Sequence, residues 1–123
     1  FITDEDGQMY NTHSISAGLD YSGIGPEHAE LFSKKRVTYT YAYDKAVISA
    51  FQMLARNEGI FAALESSHAV AEAISQAPTL PKNKIIIVNV SGRGDKDIFT
   101  VAEAINDSSW KEYIIKKAKE YTL

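Results

Sequence analysis

Ser91, Asp95, Lys96 and Asp97 bring a hydroxyl, two carboxylates and an ammonium into a seven-residue stretch that also holds Gly92, Arg93 and Gly94. This stretch follows directly on the apolar run Ile85-Ile86-Ile87-Val88-Asn89-Val90. A β-branched run this dense reads as a strand buried on both faces and parallel to its neighbours. In such sheets ligands gather beyond the carboxyl ends of the strands. The two glycines let main chain approach a ligand closely. A backbone nest for an anion is one use of such a corner. A glycine-rich strand-to-helix turn capped by Asp95 is the plainer structural alternative.

Two further clusters carry polar groups. Glu65-Ser66-Ser67-His68 follows a short apolar run, so its acid and hydroxyls suit a helix N-terminus. They equally place Glu65 at a strand end, aimed into the same crevice as Ser91. The stretch from His13 to Tyr21 is small, polar and glycine-bearing around the single acid Asp20. A Ser/His/Asp hydrolase is excluded there, because no G-x-S-x-G elbow exists and adjacent His13 and Ser14 do not form a spatial relay. The segment from Gly92 to Lys96 lacks the spacing of a phosphate-binding P-loop. His68 reads as a packed or solvated helix residue, and Arg93-Gly94-Asp95 as a chance tripeptide.

The bulk numbers narrow the class. A chain of 123 residues that is 45% hydrophobic reads as one domain or less of ordinary globular composition. The formal charge of -3, with no basic face, argues against nucleic-acid binding. Lys116, Lys117 and Lys119 sit near a helix C-terminus, where cations favour the dipole. With no cysteine, disulfides, thiolate metal sites and cysteine nucleophiles are excluded. His13, His28 and His68 form no chelating pattern. No run is long enough to span a bilayer and no targeting segment is visible, so no membrane partner is expected and the cytoplasm fits best.

The elements that must position these groups follow from pattern. Residues 1–26 are punctuated by Gly7, Gly18, Gly23, Gly25 and Pro26 and read as a loop-rich, substrate- or cofactor-facing segment. Pro26 suits the first turn of a helix. Arg36 to Ala42 alternates as a strand. Asp44 is placed to cap a helix with Ala46, Val47, Ala50, Phe51 and Leu54 at helical spacing, ended by Gly59. Gly59 to Leu64 reads as another strand, then a helix from Glu65, a loop at 77–83, the strand at 85–90 and a short helix at 97–105. Asp107-Ser108-Ser109 caps a last amphipathic helix. The alternation implies an α/β fold: a partial, open, mostly parallel sheet with flanking helices over residues 27–123.

Three segments in register resemble one family. The stretch from His13 to Tyr21 with Gly25-Pro26-Glu27-His28, the stretch from Ala63 to Ala69, and the stretch from Val88 to Asp97 are similar to the tryptophan synthase beta subunit. The similarity runs from about Asp4 to Val101 and covers the carboxyl-terminal third of that enzyme, within the C-terminal domain of a type II pyridoxal-phosphate fold. The resemblance implies joining of L-serine to indole, giving L-tryptophan and water, with pyridoxal phosphate as cofactor. The implied partners are the remainder of the beta chain, an alpha subunit that delivers indole, and a second beta chain. The cytoplasm, or a plastid in a plant, is the implied compartment.

Site roles come with the resemblance. Ser91 matches the hydroxyl that meets the pyridine nitrogen of the cofactor, and Glu65 the carboxylate near its ring. Gly18 matches a backbone contact to the cofactor, and Asp20 the acid that meets the substrate hydroxyl. Tyr21 and Gly23 fall where backbone carbonyls hold a monovalent cation such as Na⁺ or K⁺, with Ser22 in place of the family's common proline. No lysine of this chain lies in the context of the family's Schiff-base lysine, so the chain alone is expected to be inactive. Another type II pyridoxal-phosphate lyase, or a non-catalytic α/β module for an anionic ligand, are the competing readings.

Overall fold

The computed structural model describes residues 1–121. Among these residues five α-helices form: α1 (Pro26–Ser33), α2 (Asp44–Glu58), α3 (Leu64–Gln76), α4 (Ile98–Ile105) and α5 (Ser108–Tyr121). Short 3₁₀ turns cover Ala17–Leu19, Ala77–Thr79 and Gly94–Asp97. The helix ends obey local chemistry. Gly25 caps α1 with Pro26 in its first turn, where the missing N–H costs nothing. Gly59 closes α2 in the left-handed region at φ 68°, its N–H donating to the Ala55 carbonyl. Asn106, also left-handed, ends α4, and the Asp107 carboxylate then accepts the Trp110 N–H at 2.7 Å to start α5. Asp44 is itself the first residue of α2. Tyr43 holds the cap position there and makes no side-chain capping hydrogen bond.

α2 and α3 pack face to face. α2 buries Val47, Ala50 and Phe51, and α3 buries Leu64, Ser66, Ser67 and Ala71. Val47, Phe51, Leu64 and Val101 of α4 form the core, with Ile15, Ala42 and Ile48 packed against it. This spacing of three and four residues is the apolar stripe of a helix that faces a core. α5 buries none of its residues. Its Trp110 ring lies 5.7 Å from the Phe99 ring and 5.8 Å from the Tyr113 ring.

The expected sheet is not there. Among the described residues no strand forms, and one isolated antiparallel bridge joins Thr3 to Met9. The α/β reading, with its partial parallel sheet at 36–42, 59–64 and 85–90, is therefore overturned in favour of a helical fold. β-branched density reports what surrounds a side chain, whereas a strand also needs a neighbour for its N–H and C=O groups. The backbone of 85–90 makes no ladder hydrogen bond among the described residues. Ile85 and Ile87 are 86% and 92% exposed, which also rules out burial on both faces.

A candidate ligand site at the start of helix α3

Three chain segments meet at the first turn of α3. The Gly18 N–H donates to Glu65 Oε1 at 2.8 Å. The Ser66 hydroxyl donates to the Ser91 carbonyl. The Gly94 N–H donates to the Phe61 carbonyl at 2.8 Å, and buried Asp97 accepts the Leu64 N–H on Oδ2 at 2.9 Å. The first turn of a helix has N–H groups without intrahelical partners, and the Asp97 carboxylate satisfies one of them from outside the helix. Glu65 and the Ser91 corner, far apart in sequence, are thus neighbours. Their carriers are a helix start and a loop rather than two strand ends.

Lys96 ties the site together. Its Nζ lies 3.0 Å from Glu65 Oε2 and 2.7 Å from Asp97 Oδ1. Burial alone would raise the Glu65 carboxyl, but it is outweighed. Hydrogen bonds from its own backbone N–H, the Lys96 ammonium and the Gly18 N–H, with attraction to Lys96, hold it below its ordinary value of 4.5. Burial would lower Lys96. Its bonds to Asp97 and then Glu65 instead raise it above 10.5.

These shifts set a pH window. A lowered Glu65 stabilises the fold above pH 4.5, and that contribution is lost as pH falls through its folded value. A raised Lys96 stabilises below pH 10.5, and that contribution is lost as pH rises through its folded value. Because Lys96 is half exposed, the pair is worth about 1 kcal/mol or less. Thermal melts are expected to show wild type ahead of Glu65→Gln by a few degrees at neutral pH. That lead should shrink both below pH 4.5 and above pH 10.5. An equal lead at pH 3 and pH 7 would contradict the assignment.

The other expected residues are placed as follows. Gly18, in the middle of its 3₁₀ turn, lies against Glu65 so closely that a Cβ there would stand 2.8 Å from Oε1. Asp20 Oδ1 is buried with no hydrogen-bond partner among the described residues, as is Ser16 Oγ. Ser91 is exposed, and its hydroxyl makes no hydrogen bond among the described residues. Tyr21 is exposed and Gly23 lies against the Phe1 ring; neither carbonyl accepts a hydrogen bond among the described residues, whereas the Ser22 carbonyl takes the Ile2 N–H at 2.7 Å. Among the described residues no group of three or more His, Asp or Glu is set to hold a metal. Asp95, read as a cap, pairs instead with Arg93 at 3.0 Å.

An open cleft of about 900 Å³ runs along α3, lined by Glu65, His68 and Glu72 and, opposite, by Leu19, Tyr41 and Val88. His68 donates from Nδ1 to the Leu64 carbonyl at 2.8 Å. Ser91 is not among the residues lining this cleft, so the site's hydroxyl and the cleft are adjoining features. Sequence reasoning missed Lys96 as the partner of Glu65 and Asp97 as the acid that shares it. The signal available was the Asp-Lys-Asp run itself, which sets a cation between two acids.

Of the expected site residues, Glu65 borders this ligand-sized cleft, whereas Asp20 and Ser91 are not among the residues that line it. No family model matches the chain. Curated proteins do. The chain is 59% identical over 97 residues to the tryptophan synthase beta chain of Chlamydia trachomatis serovar D. It is 56% and 55% identical over 101 residues to those of Xylella fastidiosa strains M12 and 9a5c. These matches cover 79–82% of this chain and 25% of each relative, so the chain spans about a quarter of their length. Across that stretch the chain belongs to the tryptophan synthase beta family.

Proposed function

We propose that this chain supplies one wall of a pyridoxal-phosphate site in a tryptophan synthase beta protein, which condenses L-serine with indole to L-tryptophan and water. The observation that carries the reading is the meeting of Gly18, Glu65 and the Ser91 segment at the start of α3. The residues present fit the cofactor. A free hydroxyl suits a ring nitrogen, and an ionised carboxylate with a close glycine suits the edge of a charged ring. When bound, pyridoxal phosphate supplies the electron sink for chemistry at the amino-acid α-carbon.

The chain's own groups then have distinct tasks. The Ser91 hydroxyl hydrogen-bonds the pyridine nitrogen without keeping a proton on it, as a carboxylate would. That tempers the sink and favours β-replacement over transamination. Glu65 presents negative charge beside the ring, and Asp20 is the acid that meets the substrate hydroxyl. The Tyr21 and Gly23 carbonyls are offered to a monovalent cation, for which oxygen donors are suited. The rest of a beta chain contributes the lysine, and an alpha subunit, a second beta chain and indole are the partners.

Complementation tests this. Mixed with a lysine-bearing amino-terminal portion of a beta chain, the chain should restore L-tryptophan formation from L-serine, indole and pyridoxal phosphate. Ser91→Ala should lower that turnover by roughly 10- to 100-fold, the worth of one such hydrogen bond. No tryptophan from two folded portions would reject the function, and unchanged turnover in Ser91→Ala would reject the role of its hydroxyl.

A further inference from the structure

We propose that Lys96 is a positioning residue: anchored by buried Asp97, its ammonium fixes the Glu65 carboxylate against the Gly18 N–H and so sets the charge and aim of the group on the cleft rim. In naming Glu65 as the group that matters, this deepens the function proposed above and rests on it.

The hydrogen bonds close on themselves. Asp97 is 5% exposed, and both its oxygens are engaged, Oδ2 by the Leu64 N–H and Oδ1 by Lys96. Lys96 then reaches Glu65 Oε2 at 3.0 Å and Oε1 at 3.3 Å, and Oε1 also takes the Gly18 N–H. Glu65 therefore has no oxygen left to swing with. A half-exposed lysine adds little packing, and an exposed ion pair adds little stability. One cation shared by two carboxylates instead fixes their mutual geometry and leaves the cluster with one net negative charge. Other titratable or charged groups nearby are His68 and Glu72 on the cleft side of α3, Asp20 on the Gly18 loop, and the Arg93–Asp95 pair on the Lys96 turn. Arg93 is already engaged by Asp95, so it does not replace Lys96.

Without the ammonium, Glu65 and Asp97 face each other as two anions, each within 3.0 Å of the vacated nitrogen position. Like charges that close favour retention of a proton. The test is a carboxyl-carbon NMR titration of the full chain, with the Gly18 amide shift read in parallel. In wild type the Gly18 amide should move at the Glu65 midpoint. Lys96→Met should raise that midpoint by about one unit or more, while Lys96→Arg, which keeps the charge, should retain a low one. An unchanged midpoint in Lys96→Met, or one in Lys96→Arg as high as in Lys96→Met, overturns the proposal. Should Lys96→Met not fold, the wild-type Lys96 ammonium resonance decides: it must shift at the Glu65 midpoint, and a flat response overturns the proposal. No cofactor enters these readouts. A chain that passes this titration and fails complementation supports the Lys96 proposal and rejects the function above.

Discussion

Gly94→Ala is expected to lower the unfolding free energy by about 3 kcal/mol or more, at the upper end of what overpacking costs. Gly94 is buried, and an added Cβ would stand 2.4 Å from the Ala62 carbonyl oxygen and 2.8 Å from the Phe51 ring. The nearer obstacle is backbone, so no side-chain rotation relieves it. Nor can the turn back away cheaply, because the Gly94 N–H is bonded to the Phe61 carbonyl. Gly94 has no left-handed angle, so space alone is the cause. Gly92 is the converse: φ is 71°, yet a Cβ there meets Ala63 at an ordinary 3.4 Å. Its alanine variant should cost roughly 1–2 kcal/mol, from the backbone angle. Urea unfolding of both variants checks this. A Gly94→Ala chain as stable as Gly92→Ala would mean that the turn and residues 61–62 are not held together. Since that contact also sets Lys96 beside Glu65, the same variant should disorder the site.

Leu64→Ala is expected to cost about 2–5 kcal/mol. Leu64 is fully buried among Val47, Phe51 and Val101, so truncation leaves a cavity where α2, α3 and α4 meet. The backbone hydrogen bond from Leu64 to Asp97 survives the substitution, because it uses the main-chain N–H. The loss should therefore appear as a lower urea midpoint with an unchanged slope, while Glu65 keeps its lowered titration in the folded state. A loss below 1 kcal/mol would place Leu64 outside the core. Coupling between the core and the site is short, since Leu64 packs inward with its side chain and holds Asp97 with its backbone.

Local chemistry was legible wherever one residue decides an end. Pro26, Gly59 and Asp107 each mark a helix boundary through φ, a left-handed cap or a side-chain acceptor, and each stands where expected. Asp44 and Asp95 misled, because an acid near a helix start can sit at the cap, inside the first turn or in an ion pair, and spacing does not choose among these. The strands at 36–42, 59–64 and 85–90 misled for a different reason. Their residue types suit a pleated surface, but pairing is a property of two segments, and the described residues provide no second one. The resemblance to the tryptophan synthase beta family was visible in three short segments and stands on the matches to its members.

By itself the sequence determined this protein's family and the helix ends at Pro26, Gly59 and Asp107, together with the residue types available for chemistry. All of these are written in contiguous residues or in motif order. Only the tertiary structure decided that Glu65 shares Lys96 with Asp97, that Gly18 closes on the same carboxylate, and that Gly94 has no room for a Cβ. Those facts depend on distances between segments up to 47 residues apart in the chain, which are set by how α2, α3 and α4 bury their apolar faces and not by any local pattern.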